Sequence, residues 1–288
     1  MECKSNNQLN TKIKVVSYDN DKFNKHKQKL EKKLKYYDYS YVFLGEGEKW
    51  KGFGTKSNSY QEYIKNSDLN DEDILIIIDS RDVYVNRPST DLLEEFESFY
   101  KKNGGDMDEN LKIVFSSEIA CCTPGLNDNN KKQMKEIALK RNPGMKTENG
   151  SYYLNAGMCI GYVKAYKKIY SNFIMNKEDD DQTEITKYWL TNYLDNIILD
   201  YNHYFLSNAH VWGNNDNLNG CKYIKNGDTF VIENTNVSPF FIQTPAKYWK
   251  CYRYLYGNPS FFDNYNLYLY FVPLLIFIVL FIFSIINK

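Results

Sequence analysis

Apolar and polar positions change over in a regular order along the first half of the chain. "KIKVVSYD" (12–19) is a mostly apolar run that closes in polar residues, as a buried strand does where it meets its loop. The basic segment after it, "KFNKHKQKLEKKLKYY", sets Phe23, Leu30 and Leu34 on one helical face and leaves its lysines as a solvated opposite face. "YSYVFLG" (39–45) predicts a second strand, "SYQEYIKNS" a helix, and "DILIIID" (73–79) a third strand. "STDLLEEFESFYKKN" opens with capping residues and continues at helical spacing, and "LKIVFSSE" (111–118) predicts a fourth strand. Residues 125–150, polar with Gly and Pro, predict a surface excursion; "SYYLNAGMCIGYVKAYKKIYSNFI" predicts a strand followed by a helix. Short strands and loops fill 200–247, among them "DTFVIEN" and "PFFIQT". This alternation implies an α/β domain with a mostly parallel central sheet flanked by helices. Its ligand site is expected outside the carboxyl ends of the strands.

The far end breaks the pattern. "LYLYFVPLLIFIVLFIFSII" (267–286) is uncharged over a length that crosses a hydrocarbon layer of about 30 Å, with Tyr265, Tyr268 and Tyr270 at one end and Lys288 past the other. The expected division is a domain over 1–250, a connector over 251–265 and a C-terminal transmembrane anchor over 266–288. "MECKSNNQLNTKIK" lacks the apolar core of a secretory signal, so a single-pass tail anchor with the domain on the cytosolic face is expected.

Composition narrows the function classes. The 36 basic and 36 acidic residues balance, which disfavours a nucleic-acid partner. The six cysteines show no paired CxxC spacing and are expected as reduced, structural thiols. The three histidines form no HxxxH pair, and neither a GxxxxGK[ST] nor a GxSxG motif is present, so zinc, a nucleotide triphosphatase and a serine hydrolase of that class are not indicated.

Candidate chemistry gathers at "ILIIIDSRDVYVN" (74–86). Asp79 and Asp82 follow an apolar strand, either as turn formers or as paired oxygens for Mg²⁺ or Mn²⁺. "EDDDQ" (178–182) precedes a helix whose first turn favours anions. "LGEGEKWKGFGTK" (44–56) is a glycine-rich loop that permits close backbone approach, and "YLNAGMCIGY" (153–162) reads as a strand with a bulge.

In their order, "FLGEGEKWKGFGTK", "IIIDSRDVYV", "IVFSSE", "YLNAGMCIGY", "DDDQ" and "LDYNHYFLSN" resemble the landmarks of the glycosyltransferase domain of procollagen lysyl hydroxylases and its stand-alone relatives, from about residue 12 to about 250. The resemblance implies a GT-A-like (Rossmann-like) fold, a UDP-sugar donor and Mn²⁺, with Mg²⁺ as the alternative ion. Glucose or galactose would pass with retention to a hydroxyl acceptor on a protein or glycan. It places Asp79 and Asp82 as metal ligands, and Val16, Ser17 and Tyr18 at the uridine edge. Trp50 falls beside the sugar, Lys56 near the nucleotide, and Asn155 and Gly157 on the family's small-residue turn. Asp180 and Asp181 fall on a poly-aspartate run that orients sugar hydroxyls and acceptor, and Asp200 on the "LD" landmark. The family's "HGNG" motif is replaced by "FFIQTPAK", so either Gln243 or no residue stands for the third metal ligand, and Lys247 stands for the phosphate contact. The Trp that follows the family's "SAE" strand is also replaced, around "ACCTP". The alternative reading is a catalytically weakened sugar-nucleotide-binding or scaffold protein held at a membrane by the C-terminal helix.

Overall fold

Apolar runs in the first third become a parallel β-α-β-α-β unit. Strands β1 (Ile13–Tyr18), β2 (Ser40–Leu44) and β3 (Ile74–Asp79) are joined by helices α1 (Lys25–Tyr36) and α2 (Phe53–Asn66). β1 pairs in parallel with both β2 and β3. Period-two alternation assigns the two sheet faces: Val16, Leu75 and Ile77 face one apolar layer, whereas Val15, Ile74, Ile76 and Ile78 face the other. The second layer closes on Leu30 and Leu34 of α1 and on Phe96 of α3 (Leu92–Lys102). In a computed structural model, residues 11–121, 123, 125–144, 150–209, 221–245 and 249–257 are described.

The remaining strands are β4 (Val83–Val85), β5 (Ile113–Glu118), β6 (Tyr153–Tyr162), β7 (Ile197–Asp200), β8 (Leu206–Asn208) and β11 (Phe241–Gln243). The main sheet runs β2-β1-β3-β6-β5-β8-β11-β4, with β7 beside β5. Its pairings are parallel except where β6 runs against β3 and β5, and β4 against β11. The expected α/β architecture with a mostly parallel sheet is therefore present.

The order of strands forces the sheet to curl. β3 and β4 are five strand positions apart, which in a flat sheet is about 24 Å. Asp79 ends β3 and Val83 begins β4, so the three residues between them must bridge that separation, and their four Cα–Cα steps reach about 14 Å at most. Curling brings the β11–β4 edge back over the carboxyl end of β3.

Around this sheet lie α4 (Asp128–Arg141), α5 (Val163–Lys168) and α6 (Asp181–Thr191). The hairpin β9 (Tyr223–Asn226) and β10 (Thr229–Ile232) packs with α7 (Trp249–Leu255) in a separate apolar cluster that includes Tyr84 and Leu255. Cys221 and Cys251 form a disulfide that ties the start of this hairpin to α7, which corrects the expectation of reduced thiols for that pair. Two cysteines 30 residues apart carry no local spacing signal, and only the tertiary approach pairs them.

Other expectations shift in detail. Phe23 is 76% exposed, and Lys27 takes the third position on the buried face of α1, its ammonium 5.1 Å from the centre of the Phe43 ring. The polar excursion at 125–150 contains α4, opened by a capping box between Asn127 and Asn130.

The tail anchor is corrected. Among the described residues no helix is long and apolar enough to cross a membrane. The longest described helices, α2 and α4, have 14 residues each; at about 1.5 Å per residue that is about 21 Å, short of the hydrocarbon thickness. A single-pass membrane location, with the domain on the cytosolic face, is therefore not supported. The stretch 267–286 lies outside the described residues.

Candidate active site

The carboxyl ends of β1 and β3 open into a cleft of about 650 Å³ lined by Tyr18, Trp50, Lys56, Asp79, Arg81 and Asp82, among others. Tyr18 ends β1, and its ring lies 5.9 Å from that of Trp50; Trp50 in turn meets Phe53 edge-on at 5.5 Å. Trp50 and Phe53 remain 42% and 50% exposed, so they present apolar ring faces at the mouth of the cleft. Val16 packs in the core and Ser17 is buried with its hydroxyl unpartnered, so of these three residues only Tyr18 lines the cleft.

Lys56 sits at the floor. It lies in the first turn of α2, 7% exposed, with its ammonium 2.6 Å from Asp79 Oδ1 and 3.3 Å from Asp181 Oδ2. Burial alone would pull this ammonium below the ordinary lysine range; the carboxylates of Asp181 and Asp79 outweigh it and hold it well above. Burial also pushes the Asp181 carboxyl up to about 6, with Lys56 pulling the other way.

Gln243 completes the cluster from β11. Its Nε2 donates to Asp79 Oδ2 at 2.9 Å and reaches the Asp82 carboxylate at 3.4 Å. The ladder fixes this placement, because Gln243 pairs with Val83, and Thr244 N donates to Asp82 O at 2.7 Å. Gln243 Oε1 is buried with no hydrogen-bond partner. Loss of water, and then the charge of Asp79, push the Asp82 carboxyl up to about 8.

Gly157 makes room for this amide. A register shift between β5 and β6 passes from Phe115 opposite Cys159 to Ser116 opposite Asn155, a bulge of the kind found beside functional sites. A Cβ on Gly157 would stand 2.3 Å from Gln243 Nε2 and 2.8 Å from Asp79 Oδ2. Asn155 braces the bulge: its Oδ1 accepts from Gly157 N and Ser116 Oγ, while its Nδ2 donates to Glu118. Asn155 thus supports the site from behind.

The glycine-rich loop serves a different contact from the one its composition suggests. Gly54 N donates to Asp179 O at 2.9 Å, and a Cβ there would stand 1.9 Å from Asn176 O. The close approach is made to the loop that carries the acidic run, which brings Lys56 and Asp181 together. Asp180, half-buried, caps α6 by accepting from Thr183 N at 2.8 Å. Lys247 lies outside the described residues.

Two arrangements had no sequence signal of their own. Asp19, fully buried, is held by Ser80 Oγ at 2.8 Å and by Arg81 through Nε and Nη2 at 3.1 and 2.8 Å, which pins the link between the two aspartates to the end of β1. Glu118, 8% exposed, accepts from the side-chain amides of Asn155 and Gln182.

Among the described residues no three His, Cys, Asp or Glu side chains group as a metal site. The Asp79–Asp82–Gln243 set differs by having an amide as its third member. Two carboxylates and an unpartnered amide oxygen are hard donors of the kind that suit Mg²⁺ or Mn²⁺.

Comparisons with known proteins agree in part. The sequence profile of the PLOD GT domain family matches residues 7–243. An uncharacterized protein of Acanthamoeba polyphaga mimivirus is 24% identical over 179 residues, which cover 60% of this chain and 34% of that protein. The chain thus spans about a third of that relative's length. A glycosyltransferase involved in glycosylation of the major capsid of PBCV-1 superposes with a TM-score of 0.46 at 11% identity, over 85% of this chain and 99% of the other. Glucosyl-3-phosphoglycerate synthase from Mycobacterium tuberculosis, solved with Mn²⁺, UDP and phosphoglyceric acid, gives a TM-score of 0.37 at 11% identity, over 66% and 68% of the two chains. Both scores fall below one half, so the fold assignment rests on the sheet topology itself.

Proposed function

This chain belongs to the PLOD GT domain family, and on that premise we propose that it moves glucose or galactose from a UDP-sugar to a hydroxyl acceptor, with retention, on a GT-A-like scaffold. The observation that carries the reading is the convergence of Asp79, Asp82 and the Gln243 side-chain amide beside Lys56, next to the cleft that Tyr18 and Trp50 line. Asp79, Asp82 and Gln243 are the residues that would hold Mn²⁺ or Mg²⁺. When bound, such an ion supplies positive charge against the diphosphate of the leaving group.

The chain's own residues do the rest. Lys56 holds a fixed positive charge at the cleft floor, where a diphosphate gains most from it. Tyr18 and Trp50 offer ring faces to the uracil and the sugar. Asp181 is pinned to Lys56 and keeps that ammonium in place. Asp180, the more exposed of the two, orients the acceptor hydroxyl and accepts its proton. The acceptor oxygen bonds to the anomeric carbon on the same face from which the β-phosphate oxygen departs, so configuration is retained, and the electron pair of the broken bond leaves on UDP.

Purified protein, UDP-glucose or UDP-galactose, and Mn²⁺ test this directly. Hydrolysis or transfer that Asp79→Asn abolishes is the expected result; no turnover of either donor defeats the enzyme reading. One observation favours a second reading, a weakened sugar-nucleotide binder. Asp79 is already paired with Lys56, and Gln243, the third member of the candidate ligand set, is uncharged. Calorimetric binding of UDP without turnover would select that reading.

A further inference from the structure

A second cavity, of about 500 Å³, lies at the other end of α1. Asn24 and His26 line the first cleft at the start of this helix, whereas Lys33, Tyr36 and Tyr37 line the second at its end. Ten residues separate His26 from Tyr36, about 15 Å of helical rise. The other walls are Tyr84 of β4, the β9–β10 hairpin and α7.

These walls are tied together. The Cys221–Cys251 disulfide joins the hairpin's start to α7. Tyr37 donates its hydroxyl to Asp228 O at 3.2 Å, which fixes α1 to the hairpin turn. Asn86 exchanges hydrogen bonds with the backbone of Phe230, at 2.8 and 2.7 Å, which fixes the hairpin to the residue after β4. The cavity is thus built before any ligand arrives. Its α7 wall lies beyond residues 7–243, the stretch that the family profile covers.

The lining combines rings with positive charge. The Lys33 ammonium stands 4.8, 5.3 and 5.4 Å from the ring centres of Tyr84, Tyr37 and Tyr36. Lys225 and Lys250 line the same space, and Asp228 is the one acidic residue in its described lining. Three ammonium groups against one carboxylate is a local excess in a chain whose charges balance overall. Tyr36 and Tyr254 are 68% and 38% exposed, so ring surface is open to a ligand. Ring faces are electron-rich and attract the C–H faces of a sugar, whereas lysines select for an anionic group.

We propose that this cavity binds an anionic saccharide, with a hexose against the tyrosine rings and its phosphate or carboxylate group met by Lys33, Lys225 and Lys250. It is separate from the donor cleft, and it stands whether or not the chain transfers sugar. The test is calorimetry on the full chain with glucose 6-phosphate and glucuronate, against glucose and inorganic phosphate as controls. Either anionic sugar is expected to bind about tenfold or more tightly than both controls, and the tighter of the two identifies the preferred group. Lys225→Ala and Tyr254→Ala, both on exposed side chains, should each weaken that binding several-fold, while Trp50→Ala in the other cleft leaves it unchanged. Absence of binding, equal binding of inorganic phosphate, or insensitivity to Lys225→Ala and Tyr254→Ala would each overturn the proposal.

Discussion

Gly157→Ala probes the Gln243 arrangement from outside the ligand set. The added methyl would stand 2.3 Å from Gln243 Nε2 and 2.5 Å from Oε1, where ordinary contact begins at 3.4 Å. One side must therefore retreat by about 1 Å, as in other overpacked cores. The backbone of Gly157 is fixed by its bond to Asn155 and by the ladder to β3 that begins at the next residue, Met158, so the amide is the side that moves. Its 2.9 Å bond to Asp79 is lost, and the amide leaves its place beside the two carboxylates. Overpacking of this kind costs about 1–3 kcal/mol, a fall of several degrees in Tm. Affinity for Mn²⁺ should fall by about 10–100-fold, the usual effect of disturbing the surroundings of a ligand set. Titration of Mn²⁺ followed by the electron paramagnetic resonance of the free ion reads the second quantity, and thermal denaturation reads the first. The double variant Gly157→Ala/Gln243→Ala separates them, because it removes the clash with the amide, leaving only the 2.8 Å approach to Asp79 Oδ2, and so recovers part of the stability while Mn²⁺ binding stays weakened. If Gly157→Ala folds and binds Mn²⁺ like the native chain, Gln243 is not a ligand.

Lys56→Met should leave buried Asp181 and half-buried Asp79 without their cation, at a cost of about 3 kcal/mol. Urea denaturation should show the loss at pH 8 and a smaller one at pH 5, below the value of about 6 to which burial raises the Asp181 carboxyl. His203 and Asp200 oppose each other in acid. Burial lowers the His203 imidazole to about 4, so its contribution is present above its unfolded value of about 6.5 and is lost as pH falls toward 4. Burial raises the Asp200 carboxyl to about 6, so its contribution is present below about 4 and is lost as pH rises through 6. His203 sits at φ 56°, which asparagine tolerates. Relative to the native chain, His203→Asn should therefore gain about 3 kcal/mol between pH 6.5 and 4, read from denaturation midpoints. Cys251→Ser removes the tie between α7 and the hairpin; closing a loop of this length is worth about 3–4 kcal/mol, and the variant's unfolding curve should show most of that loss.

Much of the scaffold was legible because strong apolar runs have few alternatives. β1, β3 and β5 fall within a residue or two of the predicted runs, since each is buried on both faces. α4 was hidden because it buries only Met134 and Ala138 among polar neighbours, and its cap uses asparagine at both positions. The start of α2 at Phe53 was masked by glycines that serve packing against Asn176. The antiparallel direction of β6 left no mark, because a buried strand reads alike in either direction. Local spacing suggested Asp79 and Asp82 as a pair, but Gln243, about 160 residues away, enters only through strand pairing, and the order of motifs was the one cue to it. Arg81 on Asp19 and the Glu118 network depend on side-chain geometry that no periodicity encodes.

The three-residue link between Asp79 and Val83 also acts as a drawstring. It is too short to lie across a flat sheet, so its length sets how tightly the far edge is drawn over β3. One inserted residue between the aspartates would let the sheet relax outward by up to about 3 Å, more than the slack in the 2.9 Å contact between Gln243 and Asp79. Point substitutions at Ser80 or Arg81 keep the cord at its length. Insertions and deletions there do not, and each would move the Gln243 edge relative to Asp79.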